Sequence, residues 1–192
     1  MTLAETPPSA VHQVHPGGFF WNIERSERAP QLMRFVAQTT KLAVVANTVR
    51  EAEKFAERLT LSGVPVVLAT DAAKPEGLTG YCNEDEGPCV LIATHDVALS
   101  HGPMPSPMTV HLRSALSVRD YTKRLDALQS PVHLSFVVPE DQKRAASLLS
   151  HFGNDHGHGT PNKVHLGEVI DLTDGNVAAM VSHARRRFPL GR

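Results

Sequence analysis

"KLAVVANTVREAEKFAERLTLSGVPVVLAT", residues 41–70, holds the key to the fold. Leu42 to Ala46 is a continuous apolar run between polar residues, the pattern of a strand buried on both faces. Thr48 is placed to cap a helix, and Glu51 three residues later completes a capping box. Val49, Ala52, Phe55 (or Ala56) and Leu59 recur at helical spacing and give one apolar face. Gly63 ends the helix, and Val64 to Ala69 forms a second buried strand. A strand, a helix and a strand in about 30 residues match the length of a right-handed parallel crossover.

The same rhythm extends outward. Cys89 to Ala93 (CVLIA), Met108 to Leu112 (MTVHL) and His133 to Val138 (HLSFVV) read as further strands. Ser117, with Asp120 three residues on, caps a helix to Leu128. Pro139 and Glu140 open another that ends near Phe152, and Ala29 to Gln38 forms a helix ahead of the first strand. Strands alternating with helices, apolar without alternation, predict an α/β fold with a parallel sheet covered on both faces. Segments 70–88, 94–102 and 153–163 read as loops from their Gly, Pro, His and Asp content. Val164 to Leu172 reads as a short strand and Asn176 to Arg187 as a final helix. The expected division is an N-terminal extension over 1–28, one domain over 29–152, and a loop, strand, helix and basic tail over 153–192.

In open parallel sheets, ligands bind beyond the carboxyl ends of the strands. Asn47 and Thr48, Thr70 and Asp71, loop 94–102 and the segment after Leu112 are all expected at that edge.

Charge and composition narrow the function. Lys and Arg number 19 against 20 Asp and Glu, so nucleic-acid binding would need a local patch rather than an overall field. Cys82 and Cys89 make neither a disulfide framework nor a zinc pattern, which points to a reducing, cytoplasmic setting. The opening residues MTLAETPPSAVHQ lack a basic region followed by an apolar run, so no signal peptide is expected. No apolar stretch approaches the roughly 20 residues that span a membrane.

Four pieces in order, "LAVVANTVREAEKFAERLTLSGVPVVLA", "VLIATHDVALSHG", "VRDYTKRLDAL" and "FVVPEDQ", resemble the C-terminal RecA-like lobe of superfamily 2 helicases, nearest to the DEAD-box RNA helicases. The resemblance covers roughly residues 12–150. It implies a RecA-like parallel sheet of the P-loop NTPase type, in a single domain. It also implies RNA contacts at Asn47, Thr48 and Thr94, and a nucleotide-site remnant at Thr94, Asp96, Gly102 and Arg124.

The departures from that family bear on activity. After Thr94 the family has Asp, then Arg-Gly-x-Asp, whose last Asp is expected to hold the ATP ribose. Here His95 follows Thr94, Asp96 matches only with one residue inserted, and Leu99 and Ser100 stand for Arg and Gly. His101 and Gly102 do not restore the pattern. The family's arginine helix reads His-Arg-x-Gly-Arg-x-Gly-Arg. Here Lys123 replaces the His, Arg124 is kept, Asp126 replaces the Gly, and Ala127 and Ser130 replace the two later arginines. Those arginines act as fingers on the transferring phosphate, worth about 10³–10⁵ in rate in comparable enzymes. The family's Gln-x-x-Arg helix has no counterpart in "TDAAKPEGLTGYCNEDEGP". The phosphate loop Gly-x-x-x-x-Gly-Lys-Thr, which the resemblance assigns to a first lobe, does not occur in these residues.

Other clusters invite sharper readings. His151, His156, His158 and His165 gather near Asp155, a donor set that suits zinc or nickel, although their spacing matches no structural zinc pattern and a solvated loop explains them too. Arg185, Arg186, Arg187 and Arg192 form either a phosphate-binding tail or a helix end whose cations meet its dipole. Arg119, Lys123 and Arg124, at roughly helical spacing, extend such a patch or form a solvated face. Asp71, His95, Asp96 and His101 gather at the strand-end edge, where an acid–base pair is conceivable and turn formation is the simpler role for Asp96.

The reading that follows is a helicase C-terminal-like domain in degenerate form. It has no ATPase activity of its own and no cofactor, and it binds RNA or a protein partner such as a helicase first lobe. One alternative is the second lobe of a split or truncated ATP-dependent RNA helicase. The other is an α/β enzyme with a site at the carboxyl edge of the sheet.

Overall fold

The computed structural model describes residues 10–15, 17–39, 41–73, 78, 89–101, 106–154 and 169–171. Within them lie eight strands: β1 Ala10–His15, β2 Gly18–Asn22, β3 Lys41–Ala46, β4 Val66–Ala69, β5 Cys89–Thr94, β6 Thr109–His111, β7 His133–Val137 and β8 Val169–Asp171. The helices are α1 Arg28–Val36, α2 Val49–Leu61, α3 His95–Ser100, α4 Val118–Leu128 and α5 Gln142–Asn154, the last entered through a 3-10 turn at Pro139–Asp141.

The strands form one sheet in the order β4-β5-β3-β6-β7-β2-β1-β8. From β4 to β2 every pairing is parallel, and β1 then runs antiparallel to both β2 and β8. The expected α/β fold with a parallel sheet is therefore found. Leu42, Val44 and Ala46 of β3 face a core completed by α1 and α2, while Val45, Leu91 and Ala93 face the layer of α3 and α4. Phe20, Tyr121, Ala145 and Leu148 continue that second layer beneath α5. Trp21, Phe35 and Phe136 pack together at centroid distances of 5.9–6.4 Å, an edge and stacked geometry that adds to their area burial.

The helix starts are capped as expected on the hydroxyl side, although the Glu51 carboxylate accepts from the Asn47 amide and from Arg28 rather than closing the capping box on the Thr48 amide. Thr48 accepts a hydrogen bond from the Glu51 amide at 3.2 Å and Ser117 accepts one from the Asp120 amide at 3.1 Å. These satisfy donors that a helix start leaves open. Gly63 adopts φ +77° just past α2, the left-handed conformation that costs glycine least.

Four expectations need correction or completion. The stretch read as an N-terminal extension supplies β1 and β2, a hairpin whose second strand, Gly18–Asn22, is buried throughout. Its five residues are too short to show a period. Loop 94–102 contains the one-and-a-half-turn helix α3, with only Val97 and Ala98 buried, too few to give a readable face. β4 is an edge strand: Val66 and Val67 are half-buried and Leu68 is 41% exposed. An apolar run does not reveal its place in the strand order. β8 falls inside the strand expected over 164–172, and the helix expected over 176–187 lies outside the described residues.

Candidate functional site

A cleft of about 500 Å³ opens at the carboxyl end of β3 and runs along α2. Its walls carry six cations, Arg25, Arg28, Arg50, Lys54, Arg58 and Arg113, and one carboxylate, Glu51. Asn47, Thr48 and Phe55 complete it. Since the chain as a whole has a net charge of −1, this is a concentrated local field, and concave walls of low dielectric strengthen it. The N-terminus of α2, with its partial positive charge, adds to the same sign.

Part of the cleft is held rigidly. Arg28 Nη1 donates to Glu51 Oε1 at 2.6 Å and to the Leu112 carbonyl at 2.8 Å, and its guanidinium lies 5.2 Å from the Phe55 ring centre. Glu51 Oε2 accepts from the Asn47 amide at 3.3 Å. The one acid of the cleft is thus occupied by its own chain. Arg113 grips Asp141 with both Nε (2.9 Å) and Nη2 (2.5 Å), a bidentate geometry that fixes the guanidinium plane. The Asp141 hydrogen bond raises the Arg113 pKa. Burial opposes ionisation of Asp141, yet hydrogen bonds from Arg113 and Arg144 hold its carboxyl below the usual range. Arg25 pairs with Glu140 at 2.8 Å.

Behind the cleft lies a second network. Arg124 is 1% exposed. Its Nη2 donates to Asn47 Oδ1 at 2.6 Å, and its Nε to His95 Nδ1 at 3.0 Å. The Asn47 amide nitrogen donates in turn to the Ser114 carbonyl at 3.2 Å. Because His95 Nδ1 accepts, the ring proton sits on Nε2, which faces Asp120 Oδ1 at 3.9 Å. Burial lowers the Arg124 pKa to about 10, with Asp120 and Glu51 opposing the fall. Burial and the Arg124 charge also hold His95 below its ordinary value.

Deeper still, His111 and His133 stack at 5.6 Å with Nε2 and Nδ1 3.3 Å apart. His15 Nε2 meets the Tyr121 hydroxyl at 3.0 Å. Burial brings the His133 pKa down to about 3, and burial together with Arg124 holds His111 well below the imidazole range. His111 and His133 are neutral groups on β6 and β7, in the centre of the sheet.

The expected site residues divide. Asn47, Thr48 and Arg124 are brought together, the first two in the cleft wall and the third pinning Asn47. Thr94 is buried at the end of β5 and leads into α3, without a side-chain capping bond. Asp96 is exposed on the first turn of α3, and Arg119 and Lys123 are exposed on α4. Ser130, at a finger position of the resembled family, meets Thr109 Oγ1 at 2.6 Å. His151 is exposed on α5 with its ring against Phe152. Gly102, His156, His158, Arg185, Arg186, Arg187 and Arg192 lie outside the described residues. Among the described residues no group of three or more His, Cys, Asp or Glu side chains is arranged to hold a metal ion. None of their helices is long and apolar enough to cross a membrane.

Arg25, Arg28, Arg50, Lys54, Arg58 and Arg113 escape a sequence reading because they come from three separate segments. Only the four-residue recurrence of Arg50, Lys54 and Arg58 could have been seen.

No family model matches the sequence, and no curated protein does. Solved structures do match in fold. The C-terminal domain of the DEAD-box protein Dbp5 superposes with a TM-score of 0.54 at 15% identity, covering 68% of this chain and 81% of that one. The RNA helicase Prp28 from Chaetomium thermophilum, bound to ADP, gives 0.62 at 15% identity over 80% of this chain and 40% of its own. The S. cerevisiae Dbp5 C-terminal domain bound to Gle1 and IP6 gives 0.54 at 12% identity, covering 74% and 86%. The chain carries the fold of the C-terminal domain of DEAD-box helicases.

Proposed function

We propose that this domain is a binding module that engages the phosphate backbone of RNA in the cleft beside α2, without hydrolysing ATP. The observation that carries the reading is a cleft lined by six cations, of which Arg50, Lys54 and Arg58 have no carboxylate partner among the described residues while Arg25, Arg28 and Arg113 are paired with Glu140, Glu51 and Asp141, in a chain that is close to neutral overall. Phosphate contacts of this kind supply affinity and position without reading sequence. Asn47 and Thr48, the positions the helicase resemblance marks for RNA, stand in the same wall.

The absence of turnover is supported by the arginine helix. Ala127 and Ser130 offer no charge to a transferring phosphate. The remaining Arg124 is buried and engaged by Asn47 and His95. The same engagement weighs against the split-helicase alternative, which would need that guanidinium at a nucleotide.

Fluorescence anisotropy with single-stranded RNA over a range of salt concentrations, alongside an ATPase assay, tests the reading. Weak binding that falls steeply with salt, and no RNA-stimulated turnover, is the expected result. Absence of binding at low salt would overturn it and favour a protein ligand. ATP turnover abolished by Asp96→Ala would restore the enzyme reading.

A further inference from the structure

The six cations of the cleft fall into two sets. Arg25, Arg28 and Arg113 each hold a carboxylate of this chain, Glu140, Glu51 and Asp141. Arg50, Lys54 and Arg58 are exposed and pair with no carboxylate among the described residues. They recur every fourth residue, so at 1.5 Å per residue they climb α2 in steps of about 6 Å, about 12 Å in all. Like charges at this spacing repel, an effect that Glu53 and Glu57, three residues on from Arg50 and Lys54, offset in part, but those carboxylates stand away from the cleft and leave its wall cationic.

We infer that an extended single strand of nucleic acid runs lengthwise along α2, from Thr48 and the fixed arginines at its N-terminal end to Arg50, Lys54 and Arg58. The inference rests on reading the cleft as an RNA site and adds the path and form of the ligand. A compact anion would be satisfied at the N-terminal end alone. Three further unpaired cations along the helix suit a ligand whose charge continues at short, regular intervals. Among the described residues the one aromatic ring that lines the cleft, Phe55, is 4% exposed and covered by Arg28. No base can stack on it, so the strand is held by its backbone and the site tolerates any sequence.

The test uses the full chain, oligouridylates from a dinucleotide to a dodecamer, and duplex RNA as a competitor. The variant is Arg50→Gln, Lys54→Gln and Arg58→Gln together, three exposed changes to a good helix former, with helicity and melting compared directly. For the wild type, affinity should rise with strand length. In the variant the length dependence should flatten and the slope of log affinity against log salt should fall by about 2, from about 0.7 per single-strand phosphate. If the wild type binds and the variant keeps its slope, the strand does not follow α2 and only this inference fails. Tighter binding of duplex than of single strand also overturns it. If the wild type binds no RNA at low salt, the RNA-module reading fails and the inference falls with it.

Discussion

Arg124 Nη2 lies 2.6 Å from Asn47 Oδ1, although 77 residues separate the two in the chain. The contact joins α4 to the carboxyl end of β3 and orients an amide that lines the cleft. It also places a guanidinium in the interior with no carboxylate bonded to it, and its Nη1 has no partner among the described residues.

A buried charge held this way contributes less than its volume does. Arg124→Met fills most of the space and removes the desolvation cost but leaves Asn47 Oδ1 and His95 Nδ1 without their donor, so it should cost about 1–2 kcal/mol. Arg124→Ala leaves a cavity and should cost about 3 kcal/mol. Urea unfolding of both variants measures the contrast. Equal losses would show that the charge governs the site.

The histidines of the sheet centre set a lower pH limit on stability. His111 and His133 are neutral when folded, with pKa values depressed by burial, but titrate near 6.5 when unfolded. Their contribution is fully present above pH 6.5 and is lost as pH falls below it, down toward about 3 for His133. Each should cost roughly 1.4 kcal/mol per pH unit in that window. Urea midpoints between pH 7.5 and 5 should fall accordingly, and His133→Gln should flatten the dependence by about half. A pH-independent midpoint would refute this.

Ile92, fully buried at the centre of β5, tests the parallel core. Ile92→Ala should cost about 2–5 kcal/mol in chemical denaturation. A loss below 1 kcal/mol would mean that β5 is not interior.

Gly17 tests the hairpin. Its φ is +76°, and an added Cβ would meet the Pro131 carbonyl oxygen at 2.5 Å. Gly17→Ala should therefore destabilise by about 1–3 kcal/mol, read as a lower melting temperature. A neutral change would detach β1 and β2 from the sheet.

Residues 41–63 were legible because three local signals agree there: a double-sided apolar run, a capping box and a helix-stopping glycine. Leu42, Val44, Leu91, Ile92 and Phe136, all within apolar runs read as strands, are core. Val67 is only half-buried, because whether a strand is central or at the edge depends on pairings made elsewhere in the chain. The cleft was hidden for the same reason. Arg28 reaches Glu51 across 23 residues and Leu112 across 84, and no local pattern encodes such meetings. Asn47 and Thr48 could be singled out because they follow a strand directly, where a parallel sheet presents its ligand-facing edge.

The pairing of β1 with β8 has a consequence in time. Ala10 meets Asp171 and His12 meets Val169, a ladder closed between residues about 160 apart in sequence, the kind of distant contact that slows folding. The parallel core from β3 to β7 can assemble from nearer neighbours and at lower loop-closure entropy. During synthesis, residues 169–171 emerge long after residues 10–12. The backbone donors and acceptors of β1 on that side must therefore wait for a partner, and a nascent chain is most prone to pair with the wrong strand in that interval.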